Sequence, residues 1–225
     1  MKNRLSMLLT VLILIPACVF SQKSAVEDAL KKYHVSYDVL NPDLPKNSWE
    51  VPYQVTRTVT TDNGAKIYLS SYDPTKSGLS RWTLQSVNSK PPSRKELEAF
   101  DKEHSEVLSY RMDENTLKVV KDDGKKLYIS YQYQPGSIDE DHSFLKDCLF
   151  TAVIDIASGK LEAVNQKNLK NLKIKIVKVV KLTGDSRYQY SDKLQKYLLQ
   201  ETEVVVVAKV LGMQTPITTR DVYSY

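Results

Sequence analysis

Hydrophobic and polar residues alternate along most of this 225-residue chain, and only two stretches after the leader switch to helical spacing. From Ser24 to Tyr33, Val26, Ala29, Leu30 and Tyr33 fall on one face. Ser24 and Glu27 stand three apart as in a capping box, so a short amphipathic helix is predicted over 24–33. The second helix follows Pro91-Pro92. Ser93 can cap it with Glu96 at the capping-box position, Leu97, Phe100 and His104 share a face, and the end falls between His104 and Leu108.

Strands and turns account for the rest. Trp49, Val51, Tyr53, Val55 and Val59 alternate with Glu50, Gln54, Thr56, Thr58 and Thr60, the pattern of a half-buried strand. Asp62-Asn63-Gly64 signals a hairpin, because Asn and Gly tolerate positive φ, and folds Ala65–Tyr72 back antiparallel. Further strands are predicted at Arg81–Val87 and, around Asp122-Asp123-Gly124, at Leu117–Val120 and Leu127–Tyr133. The second half predicts strands at Leu149–Ala157, Lys160–Asn165, Leu172–Leu182, Glu201–Leu211 and Ile217–Tyr225. Turns are predicted at Ser158-Gly159, Gly184-Asp185 and Gly212 to Pro216. Sequential hairpins with two helices favour an antiparallel meander over a parallel α/β sheet. Lys173 and Lys175 alternate with Ile174 and Ile176, which puts one face of that strand in water, whereas Val204 to Val207 are apolar on both faces and predict a central or doubly covered strand.

The start of the chain departs from this pattern. Met1-Lys2-Asn3-Arg4, an apolar run from Leu5 to Val19 and Phe20-Ser21-Gln22 supply the three parts of a secretory signal peptide over 1–21, with cleavage after Ser21. The run is too short for a stable transmembrane span, and Pro16 interrupts its end. Ile15-Pro16-Ala17-Cys18 offers the alternative of a loose lipobox, in which Cys18 is acylated and anchors the chain. The Phe-Ser-Gln junction resembles that of secreted Bacteroidetes proteins and implies a periplasmic or secreted protein of a Gram-negative host. Residues 22–225 then make one domain. The net charge of +5 falls to +3 once Lys2 and Arg4 are removed, too weak to argue for a nucleic-acid partner. Only Cys148 remains after processing, so an intramolecular disulfide is excluded, and its apolar surroundings read as those of a small buried residue.

Candidate chemistry is sparse. His34, His104 and His142 lie in no recognised nucleophile motif, and the seven glycines stand singly in turns rather than in a phosphate-cradling loop. Asp139-Glu140-Asp141-His142, just after Pro135-Gly136, reads as a solvated loop; Asp139, Asp141 and His142 are the one cluster to check for an enzyme. No catalytic residue, metal site or cofactor is expected. Lys173, Lys175, Lys178 and Lys181 form a basic face, readable as an ordinary exposed strand or as a surface for a polyanion or lipid headgroup. Fourteen tyrosines read first as strand propensity and, as the alternative, as the mouth of a binding cleft.

Several segments carry a family resemblance: Arg81-Trp82-Thr83-Leu84, Val87-Asn88-Ser89-Lys90-Pro91-Pro92, Glu96-Leu97 and Phe100, then Phe144-Leu145-Lys146-Asp147, Ile154-Asp155, Ser158-Gly159-Lys160-Leu161 and Arg220 to Tyr225. In element order over most of residues 49–225, they resemble uncharacterised bacterial envelope proteins that look like distant relatives of the periplasmic lipoprotein carrier LolA. The resemblance implies a β-rich α+β fold: a strongly curved antiparallel sheet, a half-open barrel, packed on two or three helices. Such a sheet must fill its concave apolar face with its own helices or with a guest. From alternation, the concave wall is assigned to Trp49, Val51, Tyr53, Trp82, Leu84, Ile129, Tyr131, Val204 and Val206. The expectation is a non-enzymatic envelope protein that binds a lipid or lipoprotein acyl chain there. The alternative is an interaction module with a closed core, whose sheet edge or lysine face meets an envelope protein.

Overall fold

The structure, a computed structural model, describes residues 22–104, 109–174, 177–210 and 212–225. The expected signal peptide and Cys18 lie outside the described residues. Helix α1 covers 22–32, and α2 is Arg94–Glu103. Eleven strands follow in chain order: β1 Tyr53–Thr61, β2 Gly64–Tyr72, β3 Trp82–Val87, β4 Met112–Asp122, β5 Lys126–Tyr133, β6 Cys148–Asp155, β7 Lys160–Asn168, β8 Leu172–Ile174, β9 Val177–Ser191, β10 Lys196–Val210 and β11 Met213–Ser224.

All of them join one antiparallel sheet, ordered β3-β2-β1-β11-β10-β9-β7-β6-β5-β4, with β8 paired to β9; the sheet does not close into a barrel. Hairpin connections build both halves. The join between them is the pairing of β1 with β11, which brings the first strand against the last and sets Val55 opposite Tyr223 and Arg57 opposite Asp221.

Register places one set of side chains on a common inner face. Trp82 and Leu84 of β3 continue through Tyr72 and Ser70 of β2 to Tyr53 and Val55 of β1. Tyr223 of β11 extends the row, and Thr219 on the same face stands opposite Val204 of β10. Beyond Leu182 and Gly184 of β9 come Val164 and Gln166 of β7, Ala152 and Phe150 of β6, and Ile129 and Tyr131 of β5. The strand residues assigned to the wall (Tyr53, Trp82, Leu84, Ile129, Tyr131, Val204 and Val206) therefore share this face. Trp49 and Val51 were expected to begin the first strand, but Trp49 lies in a 3-10 turn, Leu44–Glu50, and Val51 caps it. Trp49 still packs against Tyr53 and Tyr72.

Helix α1 fills one half of the inner face. Val26 and Leu30, four residues apart, are buried with Val35, Val39 and Leu40 against Leu127, Ile129, Phe150 and Ile154, while Ala29 and Tyr33 pack at the margin. Ser24 lies within the helix, so it is not the cap that the Ser24–Glu27 spacing suggested. The other half carries a separate aromatic cluster of Tyr53, Val55, Tyr72, Trp49, Trp82 and Tyr223.

Two turn expectations and one strand expectation change; the turn expected over Gly212 to Pro216 is shorter, because β11 already begins at Met213 and sets Pro216 opposite Val207. Gly184-Asp185 is no turn, because β9 runs straight through it. Gly184 is there because a Cβ would stand 3.3 Å from the Gln166 Oε1 and 3.4 Å from its Cβ, so glycine lets β7 and β9 approach. The single strand expected over Leu172–Leu182 is two strands, β8 and β9, that fold back on each other with Ile174 opposite Val177. At Asp62-Asn63-Gly64 the hairpin forms as expected, although only Gly64 takes positive φ, at 113°.

Candidate functional site

Helix α2 lies over the aromatic half of the inner face, and a cavity of about 180 Å³ separates them. Ser93 caps the helix in a full capping box, with its backbone N–H donating to Glu96 at 2.8 Å. Two ion pairs tie α2 to the sheet: Lys66 of β2 to Glu96 at 2.6 Å, and Arg57 of β1 to Glu103. Despite its amphipathic face, α2 has no fully buried side chain: Phe100 is half-buried and Leu97 is 39 % exposed.

The cavity walls are mostly apolar. Val55, Val59, Tyr68, Trp82 and Tyr223 line it from the sheet, and Ala99, Phe100 and His104 from the helix side. The His104 ring sits 4.2 Å from Trp82 and 4.1 Å from Phe100, and its Nδ1 lies 2.8 Å from the Phe100 carbonyl.

Four charged side chains, Arg57, Glu96, Glu103 and Asp221, also line the cavity, centred on the Arg57 guanidinium. Its Nε and Nη2 donate to the two carboxylate oxygens of Asp221 at 2.7 and 2.9 Å, a bidentate fork, and Nη1 turns to Glu103. Asp221 is only 6 % exposed. Burial disfavours the guanidinium charge, but the Asp221 hydrogen bonds and charge, helped by Glu103, outweigh it and raise the pKa of Arg57. The site is thus an aromatic recess with a fixed cation and three carboxylates, Glu96, Glu103 and Asp221, at its edge.

A second cavity, about 220 Å³, lies on the same face under Leu40 and Pro42. Tyr131 and Val204 line it, as do Tyr133, Gly184 and Tyr188. Its β10 wall, Thr202 and Val204, stands opposite Asp221 and Thr219 of β11, so the two cavities occupy adjacent strands. Of the assigned wall, Trp82 borders the first cavity and Tyr131 and Val204 the second. Tyr53, Leu84 and Ile129 are buried in the packing behind, and Val206 is half-buried beside them.

Arg57, Asp221, Tyr68 and Tyr223 escaped the alternation argument. A signal for Arg57 was present: it occupies the inward phase of Tyr53, Val55, Arg57 and Val59, where a charge among apolar neighbours marks a buried ion pair or a ligand contact.

Burial of the tyrosines has a measurable consequence. It raises the pKa of Tyr133 to about 12, and raises those of Tyr53, Tyr131, Tyr188 and Tyr223 from 10.0 as well. A phenol with a higher pKa folded than unfolded holds its proton more tightly in the fold. Its stabilising contribution is therefore full below pH ~10 and fades as pH rises toward the folded value. Titrating tyrosinate absorbance should show these five ionising only in a cooperative step with alkaline unfolding, above the ordinary phenol range near pH ~10. A single titration near pH ~10 that accounts for every tyrosine contradicts their burial.

The remaining candidates resolve as structure. Asp139 and His142 pair within one turn, Nδ1 to Oδ1 at 2.8 Å, with Asp139 and Asp141 exposed and away from both cavities. Cys148 is buried, contacts the Phe144 carbonyl at 3.6 Å, and its thiol pKa is pushed up by burial. Among the described residues, no helix is long and apolar enough to cross a membrane. Comparison with family models, curated proteins and solved structures finds no match to this chain.

Proposed function

We propose that this chain is a non-enzymatic envelope protein that holds an apolar or amphiphilic ligand between α2 and the sheet, with the ligand's apolar part against Trp82, Phe100 and Tyr223 and its polar end near Arg57. One observation carries the reading: an amphipathic helix meets the aromatic sheet face through Phe100 and His104 near its C-terminal end and encloses a largely apolar cavity of about 180 Å³ between itself and the sheet. Apolar surfaces held apart in this way gain free energy when a hydrocarbon fills the gap. The open antiparallel sheet with both helices on one face supports the LolA-like resemblance and, through it, an acyl chain as the guest.

Size limits what enters the closed form. A cavity of 180 Å³ takes a ring or a short acyl segment, whereas drug-sized ligands occupy roughly 300–1,000 Å³. A longer chain requires α2 to lift, and two ion pairs, each with one well-exposed partner, are weak ties.

Ser70 provides the test. It sits at the cavity floor, buried, so Ser70→Leu projects added hydrocarbon into the space the ligand needs. Excluding about two methylenes costs ~1.6 kcal/mol, so the variant should bind a fluorescent fatty-acid probe about tenfold more weakly. Its Tm should stay within a few degrees of the parent. Unchanged probe affinity in a folded Ser70→Leu protein places the ligand elsewhere.

The second reading, an interaction module with a closed core, is favoured by the other half of the same face, where α1 and the segment after it bury Val26, Leu30, Val39 and Leu40. A parent protein that takes up no probe supports that reading.

A further inference from the structure

A row of lysines crosses three neighbouring strands at one end of the sheet. Lys209 of β10 stands opposite Lys178 of β9, which stands opposite Lys173 of β8. Strands lie about 4.8 Å apart, so the three ammonium groups leave the sheet within a line of roughly 10 Å. Their sequence neighbours Ala208, Val179 and Leu172 are buried toward the inner face, and the lysines themselves are exposed on the outer one. Lys181, opposite Val207, and Lys167, opposite Thr183, enlarge the same patch. Among the described residues, none of these five lysines forms an ion pair.

The contrast along the same face is informative. Toward the other end of β9 and β10, charges alternate in sign: Glu201 lies between Arg187 at 3.7 Å and Arg220 at 2.6 Å. Like charges directly opposite each other weaken a sheet, so the lysine row is a local cost that folding does not require. Apolar side chains accompany it. Val205 and Val207 are only half-buried between the lysine positions, and Leu169 beside β8 is 53 % exposed.

We propose that this outer face docks on an anionic lipid bilayer, its lysines on headgroup phosphates and Leu169 entering the interface. A planar array of flexible ammonium groups matches a laterally mobile sheet of phosphates. No aromatic side chain stands in the lysine row to stack nucleic-acid bases. The site is separate from the cavity under α2, which opens on the opposite face.

The test is co-sedimentation of the full chain with vesicles of phosphatidylcholine alone or of phosphatidylcholine with phosphatidylglycerol. Binding should require the anionic lipid and weaken with salt. Each lysine near such a surface strengthens binding roughly fivefold, so Lys178→Gln should weaken binding about fivefold, and Lys173→Gln/Lys178→Gln/Lys209→Gln at least tenfold. Because repulsion is removed, Tm should hold or rise in both variants, which separates lost docking from lost folding. Equal partition into both vesicle types, unchanged binding by the triple variant, or tighter binding to RNA or inorganic polyphosphate than to vesicles overturns the proposal.

Discussion

Arg57→Ala lowers stability by about 3 kcal/mol and Tm by roughly 6–12 °C, the larger of the two mutational effects expected at the candidate site. The substitution leaves Asp221 buried with its charge unpaired, and most of the loss comes from that desolvated carboxylate. A double substitution, Arg57→Leu with Asp221→Leu, removes both charges and recovers most of the loss, because well-packed apolar pairs replace buried ion pairs at little cost. Chemical denaturation of the three proteins checks this, and equal stability of Arg57→Ala and the parent contradicts it. The pair has a structural task too. Arg57 and Asp221 are 164 residues apart in sequence and are register partners where β1 meets β11. A one-residue slip there would turn Asp221 to the outer face and leave Arg57 without it.

The second large effect separates the filled and open halves of the inner face. Ile129→Ala, in β5 beneath α1, costs about 3–4 kcal/mol, because Ile129 is wholly buried and the surrounding packing closes only part of the cavity left behind. Phe100→Ala, on α2, costs about 1 kcal/mol, well below the usual loss at a core phenylalanine, since Phe100 is only half-buried and meets Trp82 and His104 at the cavity edge. Urea midpoints of the two variants measure the difference. Equal losses at the two positions mean that α2 packs as a core helix and leaves no room for a guest.

Local signals in the sequence reported local structure well. Asp62-Asn63-Gly64 and Asp122-Asp123-Gly124 announce their hairpins because the turns are built from their own residues; Asp122 and Asp123 accept backbone N–H bonds from Gly124, Lys125 and Lys126. Period-two alternation likewise put Tyr53, Trp82, Leu84, Ile129, Tyr131, Val204 and Val206 on one face. Features that depend on distant segments were not legible. Gly184 looks like a turn residue until Gln166 of another strand is found against it, and the β8–β9 fold-back hides in a run of lysines interleaved with Ile, Val and Leu that has no glycine or proline. The division of labour between the helices was also invisible, since both show the same apolar spacing and only the tertiary structure reveals that α1 is buried and α2 is not. Arg57 and Asp221 sit on strands that sequence order gives no reason to pair.

Native mass spectrometry of the full chain purified from a bacterial envelope, followed by organic extraction and lipid identification, tests the central claim most directly. The account predicts a stoichiometric bound amphiphile that Ser70→Leu loses while remaining folded. A parent protein that arrives without ligand and takes up no fatty-acid probe contradicts it.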